Sequence, residues 1–186
     1  MTGQVTAHLT WSPALGRPDL LAPATTAALH AWAAGDPRVA EQVMVAEIDP
    51  ALADTAALSA AYALPLDVSA NCVVVAGRRG GEERVAACVV LATTRADVNN
   101  AVRRLLDVRK ATFLATDRAV EESAMEYGGI TPIGLPAPWR VLVDSRVPLA
   151  GDVIVGSGVR HSKIELPGEL LAEMPGVEVV DALALG

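Results

Sequence analysis

Apolar positions along this chain change period several times, and each change predicts an element. Between Pro23 and Ala34, Leu29 and Trp32 recur at helical spacing and Gly35 closes the run, which predicts a helix. "EQVMVAEID" alternates as a strand does, and the alanine-rich stretch from Asp54 to Ala63 reads as a second helix. The clearest pattern is "ANCVVVAGRRGGEERVAACVVLA", in which two β-rich runs flank a polar, glycine-bearing connection and predict an antiparallel hairpin. Asp97 caps a predicted helix over "VNNAVRRLLDV", with Val98, Val102, Leu105 and Leu106 on one face. "KATFLA" reads as a short strand, and Thr116-Asp117 starts a helix to about Met125 with Glu121 and Glu122 toward solvent. "WRVLVD" and "VIVGSG" predict two strands, "LPGELLAEM" a helix and "VEVVD" a last strand. The first 22 residues, punctuated by Pro13, Gly16 and Pro18, read as an extension or a loosely packed arm.

This irregular mixture predicts a single α/β domain rather than a doubly wound one, and 186 residues suffice for one real core. Hydrophobic residues at 52% and charged residues at 20% exclude a disordered chain. No run of 18 residues is free of charge, and the N-terminus lacks a signal-peptide pattern, so the expectation is a cytoplasmic protein with no membrane partner. A net charge of −7 argues against bulk, nonspecific nucleic-acid binding. The charge is uneven, however: Arg103, Arg104, Arg109 and Lys110 cluster, and Arg160 and Lys163 lie together. Cys72 and Cys88 sit in strand-like runs without a CxxC partner and read as buried thiols. His8, His30 and His161 have no metal-site spacing, and no phosphate-binding glycine motif occurs, so neither metal nor cofactor is expected.

Two glycine-bearing loops hold the candidate chemistry. "YGGITPIG" places Gly128, Gly129 and Gly134 around Ile130, Thr131 and Pro132. Such a stretch serves as a tight turn stiffened by proline. The same geometry makes a binding wall, with main-chain N–H groups from Gly129 to Thr131 facing developing negative charge and Thr131 adding a hydroxyl. "GSGVRHSKIEL" poses the same choice. Gly156, Ser157 and Gly158 form a solvated turn, or they admit a phosphate or ribose that Arg160 or Lys163 pairs with. His161 has no carboxylate tied to it by motif and reads as a satisfied or exposed histidine. From the residues alone both pairs of readings stay open.

The two loops, in this order and with this spacing, resemble the YbaK/prolyl-tRNA-synthetase-associated editing-domain family over roughly Val43 to Asp181. "GGITPIG" is similar to that family's GG-(I/V)-(S/T)-P-(F/L)-G loop. "GSGVRHSKIEL" follows its strand-end motif, with Gly158 and Arg160 on matching positions, and Asp144 fits the aspartate after the preceding strand. The resemblance implies one compact α/β domain with a mixed, partly barrel-like sheet and surrounding helices, spanning 41–186 behind a partly helical extension, 1–40. It implies a deacylase that removes a wrong amino acid from tRNA by water attack on the ester, with the substrate's ribose hydroxyl helping to position the water. The partner is then the aminoacylated 3′ end of a tRNA, and a homodimer is left open. Catalytic roles fall on Asn71, Gly129, Thr131, Gly156, Ser157 and Gly158. Substrate contacts fall on Gly128, Ile130, Pro132, Gly134, Asp144, Arg160, His161 and Lys163. The sequence departs from the family in four places: Asn71 stands where it carries a lysine, Ala124 and His161 replace glycines, and Val159 replaces the first of two basic residues. Two rival functions share the scaffold, a non-catalytic protein binding a nucleotide, a tRNA end or a small ligand, and a hydrolase of another small acylated molecule.

Overall fold

The computed structural model describes residues 9–186, so the reading of the first eight residues, His8 included, lies outside the described residues. Eleven strands follow in chain order: β1 (Ser12–Pro13), β2 (Met44–Glu47), β3 (Ala70–Arg79), β4 (Glu82–Leu91), β5 (Arg95–Ala96), β6 (Ala111–Phe113), β7 (Arg140–Asp144), β8 (Asp152–Gly156), β9 (Ser162–Pro167), β10 (Val177–Val180) and β11 (Ala184–Leu185). The α-helices are α1 (Pro23–Gly35), α2 (Arg38–Gln42), α3 (Thr55–Tyr62), α4 (Arg103–Leu105), α5 (Thr116–Ser123) and α6 (Gly168–Ala172). Among the described residues no helix is long and apolar enough to cross a membrane.

A four-stranded antiparallel sheet runs β1-β2-β9-β8, a five-stranded mixed sheet runs β10-β7-β4-β3-β6, and β11 pairs with β5. One parallel bridge, Ser69 to Ile154, joins the two larger sheets. The main core lies between them: Val45, Val155 and Ile164 come from one sheet, Val89 and Val143 from the other, with Leu29 and Trp32 from α1. The sheet is mixed as expected, with parallel pairing at β4-β7 and β7-β10 beside the antiparallel hairpin.

Local chemistry explains most of the elements. Pro23 occupies the first turn of α1, where its missing N–H costs nothing, and Thr25, Leu29 and Trp32 bury one face. Asp54 caps α3 by accepting from the N–H groups of Ala56 and Ala57. Gly80 and Gly81 both adopt positive φ and close the β3–β4 hairpin.

Three expectations need correction. Residues 9–22 are not loosely packed: β1 pairs with β2, and Ala14, Leu20 and Leu21 are buried in the main core. The segment after Asp97 is not a regular α-helix, since Val98–Val102 winds as a π-helix before the short α4. Of the two open readings of "GSGVRHSKIEL", the solvated turn does not hold: Ser157 is buried, and the stretch from Ser162 onward is strand β9, lying between β2 and β8.

Candidate functional site

A cavity of about 610 Å³ opens between β3, the start of α3, the β6–α5 connection and the ends of β8 and β9. It is the place where the two glycine loops approach the hairpin. Asn71, Gly128, Ile130, Gly156 and Lys163 all line it, although they are spread over half of the chain.

Lys163 dominates the polar chemistry of this space. Strand β9 points its side chain inward, and only 7% of the residue is exposed. Nζ donates to Ala53 O at 2.9 Å and Gly128 O at 3.2 Å. An ammonium carries three donors, so one remains for a ligand. Burial, and then the nearby Arg160 charge, pull the Lys163 pKa down to about 8, against a smaller opposing effect of Asp54. No carboxylate among the described residues forms an ion pair with Lys163.

Asn71 stands at the start of β3, where its Oδ1 accepts from Thr55 Oγ1 at 2.7 Å. Its amide N–H groups have no protein acceptor among the described residues, which leaves them to the cavity. The remaining lining is largely apolar, with Leu58, Val74, Leu114 and Ile154 contributing.

The glycine loops act as an interlock. A Cβ on Gly156 would overlap the carbonyl oxygens of Gly129 and Ile130, so the two loops touch backbone to backbone. The Gly158 N–H donates to Gly129 O at 2.7 Å, and the Gly129 N–H donates to Glu126 O at 2.9 Å. The Gly158 N–H is thus consumed in joining the two loops and the Gly129 N–H in closing its own turn, so neither is free to meet a substrate oxygen. Arg160 clamps the same junction: Nη1 donates to Tyr127 O at 2.8 Å, Nη2 donates to Pro50 O at 3.0 Å, and the guanidinium lies over the Tyr127 ring at 5.5 Å.

The other candidates do not line the cavity. Thr131 and Ser157 are fully buried, and the Ser157 hydroxyl is 2.7 Å from that of Ser162. Pro132 and Gly134 line a separate hollow near Trp32 and Trp139. His161 Nε2 lies 3.3 Å from Asp19 O, facing the N-terminal segment. Asp144 binds Arg146 at 2.7 Å and accepts the Ala184 N–H at 2.8 Å. Burial pushes the Asp144 carboxyl up, but those hydrogen bonds outweigh it and hold it below the usual carboxylate range. Cys72 also lines the cavity; burial pushes its thiol far up and that of Cys88 up to about 12, so neither is a nucleophile at neutral pH.

Sequence reading missed Thr55, Phe113 and the role of Tyr127. Asp54-Thr55 was legible as a helix start, but nothing in the sequence says that this start meets β3. Phe113 and Tyr127 are exposed aromatics, at 63% and 64%, on the cavity's lining. Ala124 ends α5 with a φ of 55°, a left-handed conformation that favours the glycine its position carries in the resembled family.

Residues 49–174 match the model of the aminoacyl-tRNA editing domain. The fold is similar to that of a crystal structure of a hypothetical protein, with a TM-score of 0.72 and 18% identity, covering 85% of this chain and 99% of that one. It is also similar to a protein provisionally assigned as a trans-editing enzyme for prolyl tRNA synthetase, with a TM-score of 0.70 and 17% identity over 89% of this chain and 99% of that one. A third neighbour, from Marinobacter aquaeolei VT8 and provisionally assigned to signal transduction, matches at a TM-score of 0.58 and 14% identity, covering 88% of this chain and 30% of that one. At these identities the neighbours show a shared fold.

Proposed function

Because this chain belongs to the aminoacyl-tRNA editing domain family, we propose that it is a deacylase that hydrolyses the ester between a wrong amino acid and the 3′ end of a tRNA, acting as a separate protein. The neighbour assigned to trans-editing supports the last clause. The observation that carries the reading is Lys163, a buried cation with a spare donor, facing an open and largely apolar cavity. A lysine confined in this way is costly unless a ligand completes its hydrogen bonding.

In this reading the amino-acid side chain enters the apolar part of the cavity, and the ester carbonyl oxygen accepts from Lys163 Nζ. Water adds to the carbonyl carbon, and the ammonium stabilises the oxygen as it gains negative charge. The ester C–O bond then breaks, and the departing ribose oxygen takes up the proton that the water gives. The Asn71 N–H groups hold the ribose hydroxyl beside that oxygen. Gly128, Ile130 and Gly156 shape the wall, while Arg160, Ser157 and Gly158 position the loops that carry it.

A second reading, capture of the same ligand without cleavage, is favoured by one observation. Among the described residues Asp54 is the one carboxylate on the cavity lining, and it is exposed with its Oδ1 taken by the α3 N–H groups, so no buried carboxylate stands ready in the cavity as a base for water. A panel of aminoacyl-tRNAs incubated with the purified protein decides between the two. The deacylase reading expects release of the amino acid from at least one mischarged tRNA, a loss of about a hundredfold in Lys163→Met, and a rate that falls above about pH 8 as the ammonium loses its proton. Binding without release on every tRNA would establish the second reading. Release only from small acyl esters would mean a substrate other than tRNA.

A further inference from the structure

A second hollow of about 500 Å³ lies on the other side of β6, and Phe113 and Leu114 line both it and the main cavity. The two spaces are therefore neighbours across one short strand at the edge of its sheet. Arg78, Arg109, Lys110 and Arg118 border the second hollow against a single acidic residue, Glu83. Arg118 is engaged by Glu83 at 2.8 Å and Glu122 at 2.5 Å, and Arg78 approaches Glu83 at 3.5 Å. Arg109 and Lys110 are exposed and have no ion-pair or hydrogen-bond partner in their side chains among the described residues. Their neighbours in the basic cluster differ: Arg103 and Arg104 fold back onto the carbonyls of Asn99 and Asn100.

We infer that this groove carries the backbone of a single-stranded nucleic-acid 3′ segment, with Arg109 and Lys110 pairing with its phosphates and Phe113 stacking on the base that enters the main cavity. The inference rests on the deacylase reading for the identity of the terminal group, but its own support is separate. Uncommitted cations along a groove, followed by an exposed aromatic at a cavity mouth, combine the two contacts that bind single strands without reading sequence. One face of Tyr127 is already covered by Arg160, which leaves Phe113 as the open platform. On a chain of net charge −7, two free cations beside the cavity also give an approaching strand a preferred entrance.

The test is fluorescence anisotropy of a labelled single-stranded RNA ending in CCA, without an acyl group, across a salt series. Arg109→Ala with Lys110→Ala should weaken binding about tenfold and flatten the log–log salt slope by about 1.4, the release expected for two phosphates on a single strand. Phe113→Ala should weaken binding about tenfold and leave the slope unchanged. Wild-type affinity in the double variant would overturn the inference, as would a wild-type protein that does not bind the RNA. Loss of self-association in Phe113→Ala with RNA affinity intact would overturn it too, by making β6 a contact between copies of the chain. Cleavage of aminoacyl-tRNA by the wild type together with unchanged RNA binding in the double variant sinks this inference alone. RNA binding lost in the double variant, with no cleavage by the wild type, sinks the deacylase reading alone.

Discussion

The cavity has two walls built on opposite terms. On one side the glycine loops meet backbone to backbone, and the N–H groups that join them find carbonyls of the protein. On the other, Lys163 and Asn71 keep donors that the protein leaves unfilled. The glycine wall gains stability from its contacts and offers little chemistry. The polar wall costs stability and offers the donors on which the proposed chemistry rests. Glycine loops of this kind attract a catalytic reading, yet here their backbone is largely spent on each other, and the groups we propose for the chemistry sit on strands β3 and β9.

The largest effect should come from forcing the glycine loops apart. Gly156→Ala puts a methyl group against two backbone carbonyls that cannot rotate away, and we expect a loss of about 3 kcal/mol or more, read as a lower Tm. A silent Gly156→Ala would show that the loops slide freely and that the first wall is not the rigid one.

Lys163→Met should move stability the other way. The folded protein holds this lysine at about 8 against 10.5 for an ordinary lysine. Between those values the unfolded chain binds a proton that the folded chain does not, so wild-type stability rises with pH across the window. Below about pH 8 the penalty of the buried charge is fully present. Lys163→Met removes it, and we expect a gain of about 2–3 kcal/mol at pH 7 and no rise between pH 8 and 10.5, measured by urea unfolding at several pH values. A destabilised Lys163→Met would mean that the two carbonyl contacts outweigh burial, and the contrast between the walls would fail. Asn71→Ala should be mildest, a loss of about 1 kcal/mol for the hydrogen bond to Thr55, detectable in the same unfolding assay.

Which parts of this were legible in the sequence follows from physics that is local. The β3–β4 hairpin, the start of α3 and the span of α1 each announce themselves through a turn, a cap or a period within a dozen residues. Strand β9 does alternate, with Ile164 and Leu166 apolar, but it buries Ser162 and Lys163 as well, and polarity argued for solvent there. Residues 9–22 looked like an arm because prolines break their periodicity, yet Leu20 and Leu21 bury all the same. At the site, the family resemblance named Asn71, Gly128, Ile130, Gly156 and Lys163 but could not tell them from Thr131 or Ser157, which differ only in which way they face. The pairing of Thr55 with Asn71 depends on a helix meeting a strand sixteen residues later, and no local signal encodes that.

The sheet order also bears on where this protein can be cut. The segment matched by the editing-domain model begins at residue 49, after β2 has ended. A fragment trimmed to that boundary would lose β1, β2 and α1, and β9 would become an outer strand with bare N–H and C=O groups. That is the strand holding Lys163, and its loop would also lose the N-terminal segment on which Gly158 and His161 rest. The border drawn by sequence similarity is therefore not a border of folding, and the trimmed piece is expected to aggregate through that edge.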